Sequence, residues 1–352
     1  MKARPGRLRL PPWLNRADPA GIVMSARIRL ARNVENAAFP GWAGDGEGEK
    51  LCQRLLPVLM ELPPLKGGSV ARMDETDTLD RQILFERHLI STELMNKGAG
   101  SALLLAADES LSVMINEEDH LRLQGLAPGL DLDSLWGRVD ALDTAIAGQV
   151  PLAFSPRLGY LTACPSNVGT GLRASVMLHL PGLRLAGDIE KVIKGLAKLG
   201  LAVRGLLGEG TDASGCMYQI SNQITLGEGE VTIISRLKEI VAELVLHETH
   251  ARQRLTETRP SLLKDRVLRS VALLTHARLV SADEALDLLS GIRLGLSLEW
   301  LNGLDWKDLD ELFLLVQPAH LQKQAGRILP PAERDEARAD LLRARLGRVE
   351  SI

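Results

Sequence analysis

At 352 residues, with 45% hydrophobic and 25% charged side chains, the chain has the size and make-up of a globular protein of two domains, or of one large domain and an appendage. Its 45 acidic residues nearly balance 42 basic ones, which argues against bulk nucleic-acid affinity and leaves only local basic patches open. Three cysteines, Cys52, Cys164 and Cys216, without CxxC spacing exclude a disulfide framework and point to a reducing cytoplasm, while no apolar run reaches membrane-spanning length and the N-terminus lacks the apolar segment of a secretory signal.

Residues 1–20 are rich in Pro and Arg and are expected to drape over the surface. From Val23 to Leu30 the pattern partly alternates, with Ile28 and Leu30 on one side and Arg27 and Arg29 on the other, as in a strand. Two guanidiniums on one face suit a polyphosphate, or equally the solvated face of an edge strand. A loop (41–49), a helix (49–61) and an amphipathic helix or helix pair (79–95) containing Arg87 and His88 follow. Apolar runs 102–107 and 111–115 flank the polar turn Asp108-Glu109-Ser110 and read as a hairpin. The second run enters Asn116-Glu117-Glu118-Asp119-His120-Leu121-Arg122. Three adjacent carboxylates repel one another and call for a cation, a metal or a base's role; an acidic helix N-terminus is the plainer alternative.

Residues 131–148 read as a helix, and 159–163 as a strand entering CPSNVGTGLRASV (164–176). Gly169 and Gly171 permit a tight turn and close approach to a ligand, and such a loop can offer N–H groups and Arg173 to a phosphate. A glycine turn before a core strand is the other reading. After a helix at 187–199 come a strand, a glycine-rich loop with Arg204 and Glu209, a hairpin and a long helix at 231–256. Beyond 257 the patterns are helical throughout, with Ser281 and Glu284 as a capping box and Pro331 at a helix start. The expected division is an N-terminal segment (1–20), a catalytic domain (21–256) and a helical domain (257–352).

Arg27, Arg29, Arg122, Arg173 and Arg204 each fall on a strand or at its loop end. Together they would neutralise a nucleoside triphosphate. The chain has no Walker A sequence and no HRD or DFG set, so a phosphate site here would be built from arginines.

The stretches Ser25–Arg29, NEEDHLR (116–122), CPSNVGTGLRASV (164–176) and Arg204-Gly205 followed by Glu209 resemble the guanidino (phosphagen) kinase family over roughly residues 20–255. Within it the chain looks like the bacterial protein-arginine kinases. Small-molecule members carry a helical domain ahead of the catalytic one; here about twenty residues precede Ser25 and a helical region follows. The resemblance implies an α+β fold, a mainly antiparallel sheet flanked by helices, with a C-terminal all-helical domain. It implies transfer of the γ-phosphoryl group of ATP to arginine guanidiniums in proteins, with Mg²⁺ arriving on the ATP rather than in a protein metal site.

Carried over by motif, the five arginines would hold the phosphates, with Ser25, Ala26 and Ile28 beside them and His88 at the nucleotide. Backbone from Ala174, Ser175, Val176 and Met177, and from Gly205, Leu206, Leu207, Gly208 and Glu209, would line the rest. Glu118 would be the base and clamp for the acceptor guanidinium, Glu209 its partner and Cys164 a contact beside it. The residue types suit this chemistry, because a guanidinium is protonated and a poor nucleophile, and two carboxylates can grip its N–H fork and take its proton.

A second motif, Arg334-Asp335-Glu336-Ala337-Arg338-Ala339, places Arg334 and Arg338 on one helical face. Its spacing alone fits an exposed helix with internal ion pairs. The resemblance implies an allosteric phosphoarginine pocket there, with Arg334 and Arg338 on the phosphate and Asp335 on the guanidinium, and a homodimer formed through the preceding helices. It also implies a stress-response repressor as substrate, a zinc-containing activator and a Clp-type ATPase as partners, and neither nucleic acid nor membrane. A small-molecule guanidino kinase, and a phosphoarginine-binding adaptor with an inactive kinase domain, are the alternatives.

Overall fold

The computed structural model describes residues 11–14, 18, 20–44, 46–205 and 213–351; most of the segment 1–20 therefore lies outside the described residues. In chain order the elements are β1 (Val23–Arg32), α1 (Glu47–Met60), β2 (Ser69–Arg72), α2 (Thr78–Glu86), α3 (Thr92–Met95), β3 (Ala102–Leu105), β4 (Leu111–Ile115), β5 (Leu121–Pro128), α4 (Leu132–Ala147), β6 (Phe154–Ser155) and β7 (Gly159–Tyr160). There follow β8 (Leu172–His179), α5 (Pro181–Ala186), α6 (Ile189–Lys198), β9 (Leu201–Gly205), β10 (Met217–Asn222) and α7 (Glu230–Thr258). The C-terminal region holds α8 (Pro260–His276), α9 (Ala282–Ser297), β11 (Leu301–Asn302), α10 (Trp306–Leu315), α11 (Pro318–Ala325), α12 (Pro331–Leu346) and β12 (Glu350–Ser351). The fold is α+β: an eight-stranded sheet in the order β2-β3-β4-β5-β1-β8-β10-β9, flanked by helices, then the helical region α8–α12. Pairs β2–β3, β3–β4, β4–β5 and β5–β1 are antiparallel. Among the described residues no helix is long and apolar enough to cross a membrane.

Two compact units emerge, and the chain passes between them within β1, β8, β10 and α7. The first holds residues 25–175 and 221–238 together with residues 11–13. Its strands β3 and β4 are buried on both faces, as their unbroken apolar runs require. Helix α4 buries Leu132, Leu135, Val139, Leu142 and Ile146, the face its spacing marks. It lies so close to β5 that a Cβ on Gly125 would stand 2.6 Å from Val139 and 2.7 Å from Leu135. The stretch 79–95 forms two helices, α2 and α3, separated by His88, whose φ of 56° is outside the right-handed helical region.

The second unit holds residues 14–24, 176–220 and 239–352. Leu263, Val267, Leu286, Leu289, Ile292 and Leu342 stand at the centre of its core. Helix α9 begins as its cap residues dictate, with Glu284 N donating to Ser281 Oγ at 3.2 Å, and α12 starts on Pro331. Fully buried Glu248 accepts from Gly182 N (2.8 Å), Leu183 N (2.9 Å) and Arg252 Nε (2.7 Å), tying α7 to the start of α5.

In the first unit, Arg32 is 1% exposed and donates to Asp143 through Nε (3.0 Å) and Nη2 (2.7 Å), and to Thr170 O through Nη1 (2.8 Å). Removing one partner leaves a buried charge uncompensated. Asp143→Ala is expected to lower stability by about 3 kcal/mol, read from the urea midpoint. The apolar pair Arg32→Met with Asp143→Leu is expected to recover most of that loss.

Candidate active site

The β1–β5 register sets Arg29 opposite Gln124 and Ala31 opposite Arg122. Cross-strand partners share a sheet face, so Arg27, Arg29 and Arg122 lie on one side, away from the buried Ala26, Ile28 and Leu30. Arg173 sits on β8, the strand beside β1 on its other edge. Burial first, then the charges of Arg27, Arg122 and Arg173, pull Arg29 well below the ordinary guanidinium range; Glu117 opposes them. The Arg29 Nε is buried with no hydrogen-bond partner. Three cations and one carboxylate act on Arg29, a grouping of guanidiniums that fits a polyphosphate.

Asn116 N donates to His120 O (2.9 Å), and with Asn116 at φ 53° this closes the loop between β4 and β5. The loop sends its three carboxylates in different directions. Glu117 is 1% exposed, pairs with Arg122, and accepts from Ser91 Oγ and from Glu118 N (2.8 Å). Burial pushes its acid up, but Arg122, Ser91 and the Glu118 N–H outweigh it and hold Glu117 below the usual carboxylate range. Asp119, also buried, accepts from Asn33 Nδ2 (2.6 Å) and from Ala163 N (2.6 Å). Burial keeps it above its usual range despite those bonds. Glu118 alone of the three is exposed. Partial burial, then the charges of Asp119 and Glu117, raise its pKa and make it a better proton acceptor than an ordinary carboxylate. Next along the chain, His120 accepts from Val34 N at Nδ1 (3.1 Å) and lies 2.9 Å from Ala38 O at Nε2. These contacts define a neutral ring, and burial lowers its pKa.

The Asp119–Ala163 bond links the immediate neighbours of Glu118 and Cys164. Cys164 is half-buried, with Sγ 3.0 Å from Ser166 Oγ and its carbonyl accepting from Thr162 Oγ1 (2.8 Å). The loop glycines let other parts of the chain approach closely. A Cβ on Gly169 (φ 113°) would stand 2.2 Å from Thr225 O, and one on Gly171 (φ 65°) 2.6 Å from both Ala31 O and Arg32 Nη1.

His88 packs its ring against Trp13, centroids 5.0 Å apart, and its carbonyl accepts from Gln124 Nε2 (2.8 Å). Burial, then Arg27, pull its pKa to about 4, so the ring near Arg27 is neutral at pH 7. Ser25 is half-buried, while Ala26 and Ile28 are fully buried and offer backbone only. The Ala174 N–H is already engaged by Asn222 Oδ1 (2.8 Å), and Ser175 Oγ lies 3.5 Å from Arg27 O.

In the second unit, Val176 is buried and Met177 half-buried, while on β9 Gly205 is buried and Arg204 exposed. Leu206, Leu207, Gly208 and Glu209 lie outside the described residues. On α12, Glu336 is exposed, Arg334, Asp335 and Ala337 are half-buried and Ala339 is buried. Arg338 is 1% exposed and donates to Val316 O (2.8 Å), Val280 O (2.7 Å) and Asp335 Oδ1 (2.6 Å). The motif's second arginine is thus part of the helical core, not of an exposed face. Among the described residues no group of three or more His, Cys, Asp or Glu is placed to hold a metal ion.

Residues 53–251 match the family model "ATP:guanido phosphotransferase, C-terminal catalytic domain", and 260–352 match "Protein-arginine kinase McsB C-terminal domain". Two relatives named protein-arginine kinase are those of Halothermothrix orenii, 44% identical over 93% of each chain, and Symbiobacterium thermophilum, 45% identical over 95% of this chain and 96% of that one. The chain belongs to the protein-arginine kinases of the ATP:guanido phosphotransferase family. Solved structures of guanidino kinases share the architecture. A lombricine kinase is 26% identical with a TM-score of 0.58 over 67% of this chain and 68% of that one. The duplicated taurocyamine kinase of Schistosoma mansoni, with bound transition-state-analogue components, is 29% identical with a TM-score of 0.61 over 67% of this chain, which spans 34% of that longer protein.

For this ATP:guanido phosphotransferase, sequence reasoning missed the roles of Glu117, Asp119 and Asn33. The run of three carboxylates signalled that cations or donors were needed, but not which carboxylate met which. One consequence concerns pH. A folded-state pKa for Glu118 above its unfolded value means that folding favours the protonated form. The resulting penalty is absent below the unfolded pKa and sets in as pH rises through the folded one. Glu118→Gln is therefore expected to raise the thermal midpoint at pH 7, and the gain should vanish near pH 3, as measured by melting across pH.

Proposed function

We propose that this kinase transfers the γ-phosphoryl group of ATP to the guanidinium of arginine residues in proteins. The observation that carries the reading is the arginine cluster around Arg29, joined through one short hydrogen-bonded segment to a separate carboxylate of raised pKa and a cysteine. Arg27, Arg29, Arg122 and Arg173, with Arg204, would hold the phosphate oxygens. Neutral His88 would sit at the nucleotide, with backbone of residues 25–29, 173–177 and 204–209 around it. Mg²⁺ bound with ATP supplies further neutralisation of phosphate charge. Glu118, with Glu209 as its partner, would grip the acceptor fork and take one N–H proton as that nitrogen bonds to the γ-phosphorus and the bond to ADP breaks. Cys164 would contact the acceptor guanidinium. Positioning and charge neutralisation are what phosphoryl transfer chiefly needs.

The similarity to lombricine and taurocyamine kinases supports a second reading, a small-molecule guanidino kinase. The C-terminal match and the curated relatives support the protein substrate instead. A phosphoarginine-binding adaptor without activity accords less well with a full arginine and carboxylate set. We further propose that 21–256 is the catalytic domain and that 257–352 serves dimerisation and phosphoarginine binding, through Arg334, Asp335 and Arg338 with Glu336, Ala337 and Ala339 around them. A cytoplasmic setting, a stress-response repressor as substrate, a zinc-containing activator and a Clp-type ATPase belong to the same proposal.

With labelled ATP, acid-labile label is expected on arginine-containing protein and little on free arginine; label on free arginine alone would sink the protein reading. Glu118→Gln is expected to lower kcat by about 10²- to 10⁴-fold with the KM for ATP unchanged. Phosphoarginine-bearing protein is expected to activate the wild type and not Arg334→Ala, measured as initial rate.

A further inference from the structure

Beside the Cys164 loop, in the same unit, lies an open groove of about 310 Å³. The β6–β7 hairpin forms one wall with Phe154, Leu158 and Tyr160; Leu226, Glu228 and Glu230 stand on another, and the floor includes Gly169, the end of the loop. Phe154, Leu158 and Leu226 are 57%, 41% and 51% exposed. A cluster of large apolar side chains left open to water marks an interaction surface. Its frame is held from beneath. Tyr160 N donates to Gly169 O (2.8 Å), the Arg32 guanidinium stacks 3.5 Å from the Tyr160 ring centroid, and Thr225 Oγ1 donates to Ser166 O (2.9 Å) and Val168 O (2.8 Å). The bonds that fix the groove therefore also fix the loop that carries Cys164.

We infer that this groove seats the polypeptide flanking the acceptor arginine, taking an apolar side chain between Phe154, Leu158 and Leu226 and a basic side chain toward Glu230. The inference rests on the protein-arginine reading above and names the substrate class that reading leaves open. Two arguments select this occupant. The groove floor at Gly169 and Thr170 belongs to the same loop as Cys164, so a chain whose arginine reaches that loop can extend over these side chains. Its lining also holds a carboxylate outside the Glu228–Arg236 pair, Glu230, which can take a basic flank. Of the carboxylates, Glu228 is engaged by Arg236 (2.6 Å), which leaves Glu230 as the contact for an incoming cation.

The test uses the full-length enzyme and two synthetic peptides of equal length, one with arginine flanked by leucine and lysine, the other by glycine and aspartate. The first is expected to have about tenfold higher kcat/KM. Leu158→Ser with Leu226→Ser should erase the apolar part of the preference, and Glu230→Lys should reverse the basic part, both with the KM for ATP unchanged as the check on folding. Equal use of the two peptides by the wild type, or an undiminished preference in the variants, overturns the groove while leaving protein phosphorylation standing. So does phosphorylation of an unfolded protein but of neither peptide. A fall in mass by light scattering in the variants with the preference intact would make the groove a self-association face and overturn it as well. Absence of label on any peptide or protein would instead sink the underlying reading.

Discussion

Four guanidiniums crowd one side of the β1, β5 and β8 surface, and their mutual repulsion is the constraint around which the first unit is arranged. Arg29 feels it, being desolvated as well as surrounded by Arg27, Arg122 and Arg173. The principal internal answer is Glu117, buried and pinned by Ser91 and by the Glu118 N–H, which pairs with Arg122. Among the charges that act on Arg29, Glu117 opposes three cations. An anion whose charge is spread over several oxygens would suit such a surface.

The same loop answers a second need. A guanidinium acceptor requires a carboxylate that is accessible and more basic than usual, and that cannot be the one neutralising the arginines. Burial separates the roles: Glu117 goes inward to Arg122, Asp119 inward to Asn33 and Ala163, and Glu118 is left outside beside their two negative charges. The Asp119–Ala163 bond then couples this loop to the Cys164 loop. Behind that loop, Gly169 and Gly171 let backbone meet backbone where any side chain would collide. The loops that carry Glu118 and Cys164 are thus joined through a hydrogen bond to main chain, which does not adjust as flexible side chains do.

In the helical region the arrangement is different in kind. Arg338 is held by two carbonyls and Asp335 within the core, whereas Arg334 four residues earlier is half-buried. One arginine of the pair is therefore a structural anchor in this conformation, and any anion-binding role there draws first on Arg334.

Much was legible from the chain itself, and for local reasons. The alternation through Arg27 and Arg29 identified both the strand and the shared face, because side chains alternate along a strand whatever surrounds it. The 131–148 periodicity, the Ser281 cap and Pro331 marked helices for the same kind of reason, since these signals act within a turn or two. The α+β class and the family followed from motif order. Other features depended on partners far along the chain. Which of three consecutive carboxylates is buried is decided by Ser91, Asn33 and Ala163. What Gly169 approaches is decided by Thr225, and whether Arg338 is exposed by Val280 and Val316. Likewise, the two compact units share strands rather than splitting at one point, because compactness is counted over contacts in space and not along the sequence. The sequence by itself determined the chemical groups, their local faces and their order. Only the tertiary structure assigned each its solvent and its partners, since burial and pairing, which set charge and reach, are properties of neighbours that the chain brings together from a distance.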